Sequence, residues 1–66
     1  MIKVKKVTPE EAAKIIETRQ PLGKFYCIED SPRFHPAYIG IDNETGEAWT
    51  EEFRSLGACR RWLLKG

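Results

Sequence analysis

Ala37–Phe53, AYIGIDNETGEAWTEEF, reads as a β-hairpin with its turn written into the sequence. Asn43-Glu44-Thr45-Gly46 is the turn. Asparagine suits the first position of a type I turn, because its side chain bonds to the backbone ahead of it. Gly46 then supplies a left-handed residue, which closes a short loop with a G1 bulge. Pairing Asn43 with Glu47 sets Ile41 opposite Trp49, Ile39 opposite Glu51, Tyr38 opposite Glu52 and Ala37 opposite Phe53. Directly opposed residues share a face. The expected core face therefore carries Ala37, Ile39, Ile41, Trp49 and Phe53, with Glu51 as a lone charge among them. Tyr38, Gly40, Asp42, Ala48, Thr50 and Glu52 take the other face. A slip of one residue would move every side chain to the opposite face.

Working outward, Ile2–Val7, IKVKKV, begins with apolar and basic residues in alternation. It reads as a short edge strand whose lysines discourage further pairing. Thr8-Pro9-Glu10-Glu11 starts a helix: Thr8 is the cap, Pro9 fits the first helical position and Glu11 completes a capping box. The helix runs to about Thr18 or Arg19, with Ala12, Ile15 and Ile16 as its buried stripe. Gln20-Pro21-Leu22-Gly23 stops it. Lys24–Glu29 is a strand that buries either Phe25 and Cys27 or Tyr26 and Ile28; the reading preferred is Phe25 and Cys27. Asp30–Pro36 is a loop in which Phe34 either anchors against the domain or waits for a partner. Ser55 caps a last helix, 56–65, whose inner face carries Leu56, Cys59 and Leu63, with Trp62 beside it.

The order is β-α-β-β-β-α, an α+β class. The expected architecture is an antiparallel three-stranded meander, with the first strand at an edge and both helices packed on one face. That face is the one built from Ile39, Ile41, Trp49 and Phe53. The 66 residues suit a single small domain, residues 1–66. With 41% hydrophobic and 32% charged residues and a net charge of +1, the chain has an ordinary soluble composition and no global field drawing it to nucleic acid or membrane. The charge is nonetheless segregated: Lys3, Lys5 and Lys6 open the chain, Asp42, Glu44, Glu47, Glu51 and Glu52 crowd the hairpin, and Arg54, Arg60, Arg61 and Lys65 close it. No apolar run approaches membrane-spanning length and the N-terminus lacks a signal-peptide core, so the expected setting is cytoplasmic, away from membrane.

The chemistry-bearing residues are sparse. Cys27, Cys59 and His35 match no zinc spacing, so no metal is expected. Both cysteines read as buried, inert thiols, and His35, the only histidine, sits in a proline-bounded loop. Glu51 and Glu52 point to opposite faces of a strand and do not form a carboxylate pair. Glu51, on the core face, calls for a cation such as Lys14, Arg19, Arg54 or Arg60, or for a sheet margin. No catalytic residues and no cofactor are assigned, and the chain is not read as an enzyme.

Three segments, VTPEEAAKIIETRQPLGKFYC, YIGIDNETGEAWTEEF and CRRWLL, resemble a group of short uncharacterised proteins from Gram-positive bacteria and their phages. That resemblance implies a bacterial or prophage origin and a cytoplasmic setting, and it brings no activity with it. What remains is binding. An open sheet face carrying Tyr26, Tyr38 and Thr50 is expected to meet a protein partner or a second copy of the chain. The alternative is a nucleic-acid module that combines those tyrosines with Lys3, Lys5 and Lys24. The helix-sheet-helix order is also similar to double-stranded-RNA-binding domains, but the lysine cluster those domains carry is replaced here by Ser55-Leu56-Gly57-Ala58.

Overall fold

In the computed structural model, which describes residues 3–65, a mixed sheet is sandwiched between two helices. The elements are β1 (Val4–Lys6), α1 (Pro9–Thr18), β2 (Gly23–Glu29), β3 (Ala37–Asn43), β4 (Trp49–Phe53) and α2 (Leu56–Lys65). The strand order is β1-β2-β3-β4. The α+β class stands, and the sheet is four-stranded rather than a three-stranded meander: β1 at the edge pairs in parallel with β2, while the β2/β3 and β3/β4 pairs are antiparallel. Ile2, expected in the first strand, lies outside the described residues.

Local chemistry sets the helix starts. The Thr8 hydroxyl accepts from the Glu11 N–H at 3.1 Å, and the Glu11 carboxylate accepts from the Thr8 N–H at 2.9 Å, so the capping box is complete. Hydrogen bonding from the Thr8 backbone N–H, and secondarily from its side chain, holds the Glu11 carboxyl below its ordinary value. At the other end Arg19 turns left-handed (φ 60°) and its N–H bonds to the Ile15 carbonyl at 2.7 Å.

The hairpin differs from the sequence reading by one residue of register. Observed partners are Tyr38–Phe53, Ile39–Glu52, Gly40–Glu51, Ile41–Thr50 and Asp42–Trp49. The connection spans residues 44–48, two longer than the expected loop. Asn43 is the cause. Its side-chain oxygen accepts from the Ala48 N–H at 3.1 Å, so Glu47 is never drawn into the ladder. Ala48 adopts φ 52°, in addition to Gly46 at φ 84°. The other end of the Asn43 amide donates to the Pro21 carbonyl at 2.8 Å. Asn43 itself is fully buried.

The shifted register changes which residues form the core. Trp49, expected inside, is 61% exposed. Trp49, Glu51 and Phe53 share a face with Tyr38, Gly40 and Asp42, whereas Thr50 and Glu52 share one with Ile39 and Ile41. Continuing through β2, the second face carries Phe25 and Cys27, and the first carries Lys24, Tyr26 and Ile28.

The helices take opposite faces, contrary to the expectation of one. Helix α1 packs Ala12 and Ile15 onto Phe25, Cys27 and Ile41, with Val7 and Ile39 at the margin. Ile16, expected in this stripe, is largely exposed. Helix α2 covers the other face. Gly40 makes this possible: a Cβ there would stand 3.0 Å from two ring carbons of Trp62 and 3.2 Å from the Cys59 sulfur. A residue that reads as a gap on an outer face is thus the seat of α2. Phe53 meets Trp62 with ring centroids 5.7 Å apart. In β2, Phe25 and Cys27 are buried as expected, and Tyr26 and Ile28 are half-buried on the face that α2 covers.

Three substitutions test this account. Asn43→Ala strands the Pro21 carbonyl and the Ala48 N–H, and is expected to lower unfolding free energy by about 3 kcal/mol in urea denaturation; Ala48→Gly relieves a left-handed alanine and should raise it by about 1 kcal/mol. Gly40→Ala crowds Trp62 and Cys59, with an expected loss of about 1–3 kcal/mol and a perturbed tryptophan fluorescence spectrum.

Candidate functional site

Helix α1 lies over β2 and β3 and does not reach β4. The α1-side face of β4 is therefore uncovered. A cleft of about 380 Å³ runs there, with Ala13, Ile16 and Ile39 on its apolar side and Glu29 and Glu52 along its acidic side. On the opposite face a second groove, about 570 Å³, lies between β4 and α2, and Trp49, Trp62, Asp42, Glu51 and Lys65 line it. Between the two grooves runs β4 itself. It bonds to β3 on one side, and its other backbone edge faces outward, since it is last in the sheet. This edge strand is thus flanked by a groove on each face.

The residues around that strand are held firmly. Trp49 donates its indole N–H to Glu47 at 3.2 Å, and Glu47 also accepts from the Thr45 hydroxyl at 3.1 Å. Glu52 is half-buried and accepts from the Ser31 hydroxyl at 3.4 Å. Ser31 in turn accepts from the Phe34 N–H at 3.0 Å and orders the β2–β3 loop. Phe34 is half-buried there, with the Arg33 and Arg54 guanidinium carbons 5.1 Å and 5.8 Å from its ring centre. Phe34 thus anchors its loop. Glu51 faces α2's side, opposite Gly40, and is exposed. Among the described residues no cation comes within 4.0 Å of it, so its resting place is the sheet margin rather than an ion pair.

The residues expected to form one partner-binding face are scattered. Lys24 is only 2% exposed. Its ammonium donates to the Leu63 carbonyl near the C-terminal end of α2 and lies 3.3 Å from Asp42 and 3.9 Å from Glu44. It fastens α2 to the sheet, where a cation also complements the helix dipole. It is not presented to a partner. Tyr26 and Tyr38 are half-buried on the face that α2 occupies, so the open tyrosine platform does not exist. Thr50 is exposed on the α1 side of β4. Lys3 and Lys5 are exposed at the far edge, next to β2 rather than β4. Thr50 alone among these residues lies beside the two grooves. Trp49, expected in the core, stands exposed beside the grooves, and the left-handed Ala48 before it has no mark in the sequence.

Cys27 and Cys59 are both free and fully buried, one on each face of the sheet. Burial pushes the Cys27 thiol up to about 11, helped by the negative charge of Glu29. Burial does the same to Cys59, with Cys27 as the lesser cause, and that thiol also reaches about 11. Among the described residues no group of His, Cys, Asp and Glu is arranged to hold a metal ion, and no helix is long and apolar enough to cross a membrane. No protein-family model, curated protein or solved structure matches the chain.

The thiols give a pH prediction. Their folded pKa values lie above the ordinary 9.0, so the stability they contribute is complete below that value and is lost as pH rises through about 11. Urea midpoints measured from neutral pH upward should fall across this window. The fall should be shallower in a Cys27→Ala/Cys59→Ala variant, and both wild-type thiols should resist alkylation until the chain is unfolded.

Proposed function

We propose that the chain is a protein-binding domain that takes up an extended segment along the free edge of β4, and that it acts by binding rather than by catalysis. The observation that carries this reading is the edge strand itself, open along its backbone and bordered by a groove on each face. A segment added to a sheet edge gains main-chain hydrogen bonds, and its alternate side chains fall to the two sides. On the α1 side they would meet Ile16 and Ile39 beneath Glu29 and Glu52; on the α2 side they would meet Trp49 and Trp62 beside Glu51. Such a site favours a segment in which lysine or arginine alternates with apolar residues. Exposure of Trp49 supports the same reading, because an aromatic ring at a partner surface brings a large apolar area at small entropic cost.

This replaces the open tyrosine face with the strand beside it and keeps Thr50 as a contributor. A nucleic-acid partner is disfavoured at this edge, since Glu47, Glu51 and Glu52 would repel phosphates. The proposed origin is bacterial or prophage and the proposed setting cytoplasmic, in keeping with the resemblance of the three sequence segments.

Panning a library of random short peptides on the immobilised chain at low salt tests the reading. Enriched peptides should alternate basic and apolar residues, weaken as salt rises, and shift the amide resonances of residues 49–53. No enrichment, or peptides that shift resonances elsewhere, would sink it.

A further inference from the structure

The sheet has two free edges, and they carry opposite charge. β1 brings Lys5 and Lys6, with Lys3 just before it, all exposed. β4 brings Glu51, exposed, and Glu52, half-buried. Among the described residues none of the three lysines has an acidic partner within 4.0 Å. Charges on an edge strand ordinarily keep edges apart. They do so here only for like edges: β4 against β4 sets glutamates together, and β1 against β1 sets lysines together. Unlike edges attract.

Strand direction and face parity agree with the charges. β1 runs parallel to β2, β2 antiparallel to β3 and β3 antiparallel to β4, so β1 and β4 point the same way. A second copy displaced sideways along the sheet, with the usual twist, sets its β1 parallel to β4 of the first and keeps each α-covered side continuous. On the α2 side β1 presents Val4 and Lys6, which pair with Lys24 and Tyr26 of that face. On the α1 side it presents Lys5, the partner of Phe25. Aligning Val4 with Trp49 therefore sets Lys6 against Glu51 and Lys5 beside Thr50 and Glu52, every side chain on its proper face. Apolar meets aromatic, and each cation meets a carboxylate.

We infer that the occupant of the β4 edge is β1 of a second copy of this chain, joined head to tail by Lys5 and Lys6 of one copy against Glu51 and Glu52 of the next. The inference rests on the β4 edge being a strand-binding site. The contact is heterologous, so it leaves a free β1 at one end and a free β4 at the other and builds open chains rather than closed dimers. It is salt-sensitive, because Lys5, Lys6 and Glu51 are exposed.

Sedimentation velocity over a concentration series at low salt is the test, with two charge-reversed variants: Lys5→Glu/Lys6→Glu and Glu51→Lys/Glu52→Lys. Wild type should grow in size with concentration and return to monomer at high salt. Each variant alone should lose assembly, having like-charged edges, and an equimolar mixture of the two should regain it. Amide resonances of wild type should broaden with concentration at residues 4–6 and 49–53 together, a readout that needs no variant. A wild type that stays monomeric at low salt, a mixture of folded variants that stays monomeric, or broadening that maps elsewhere overturns the inference. If selected peptides still shift residues 49–53 in a strictly monomeric protein, the strand-binding reading survives and self-assembly is wrong; if neither occurs, both fall.

Discussion

The carboxamide of Asn43 holds two parts of the chain that are far apart in sequence. Its Nδ2 donates to Pro21, in the connection between α1 and β2, and its Oδ1 accepts from Ala48, at the start of β4. A fully buried amide satisfied at both ends tolerates little displacement, because either lost bond strands a polar group away from water. Arg19 reaches the Gly46 carbonyl at 3.5 Å and Leu22 stands 3.7 Å from the position a Cβ would take on Gly46, so the hairpin loop is seated on the α1–β2 connection at three places. From that seating the register follows, and from the register follows the face on which each side chain of β4 lies.

Once β4 is registered in this way, the sheet has two buried faces instead of one. Phe25, Cys27, Ile39 and Ile41 provide the face for α1; Tyr26, Ile28, Tyr38 and Phe53 flank the hollow at Gly40 that receives α2. A chain this short gains from covering both faces, because small domains bury a modest share of their surface. The second face is completed by Lys24. Its ammonium is lodged against the Leu63 carbonyl and Asp42, which ties the last turn of α2 to β2 and β3 and satisfies a carbonyl that the helix leaves unpaired.

Local punctuation made the elements legible. Thr8-Pro9 with Glu11, the Pro21–Gly23 break, the turn near Asn43–Gly46 and the Ser55 cap each state their purpose within a few residues. The faces of β4 were not legible, because they turn on a bond that local reading assigns differently, whereas Phe25, Cys27, Ile39 and Ile41 share a core face as expected. An asparagine before a turn is expected to serve the turn; here it also spans to Pro21, and its reach to Ala48 lengthens the loop. Alanine at positive φ carries no mark of its conformation. Gly40 falls on the face expected to stay open, yet the absence of its side chain is what admits Trp62. The same slip explains the expected site. Tyr26, Tyr38 and Lys24 share an open face only if α2 lies on the same side as α1, whereas Thr50 keeps its exposure on the face α1 leaves bare.

Covering both faces moves the exposed backbone to the margins. With helices above and below, the hydrogen-bonding groups of the sheet reach solvent at β1 and β4, the two strands that have a neighbour on one side only. The sequence treats these margins differently. β1 is short and basic; β4 is longer, acidic, and flanked by grooves that run on past Trp49 to α2 and past Thr50 to α1. A margin built only to repel would carry the same charge at both ends of the sheet, because copies of one chain meet in every orientation. Opposite charges leave one orientation favourable, with parallel strands and matched faces, and the register of β4 set by Asn43 is what places Glu51 and Glu52 on the sides where the lysines of β1 would meet them.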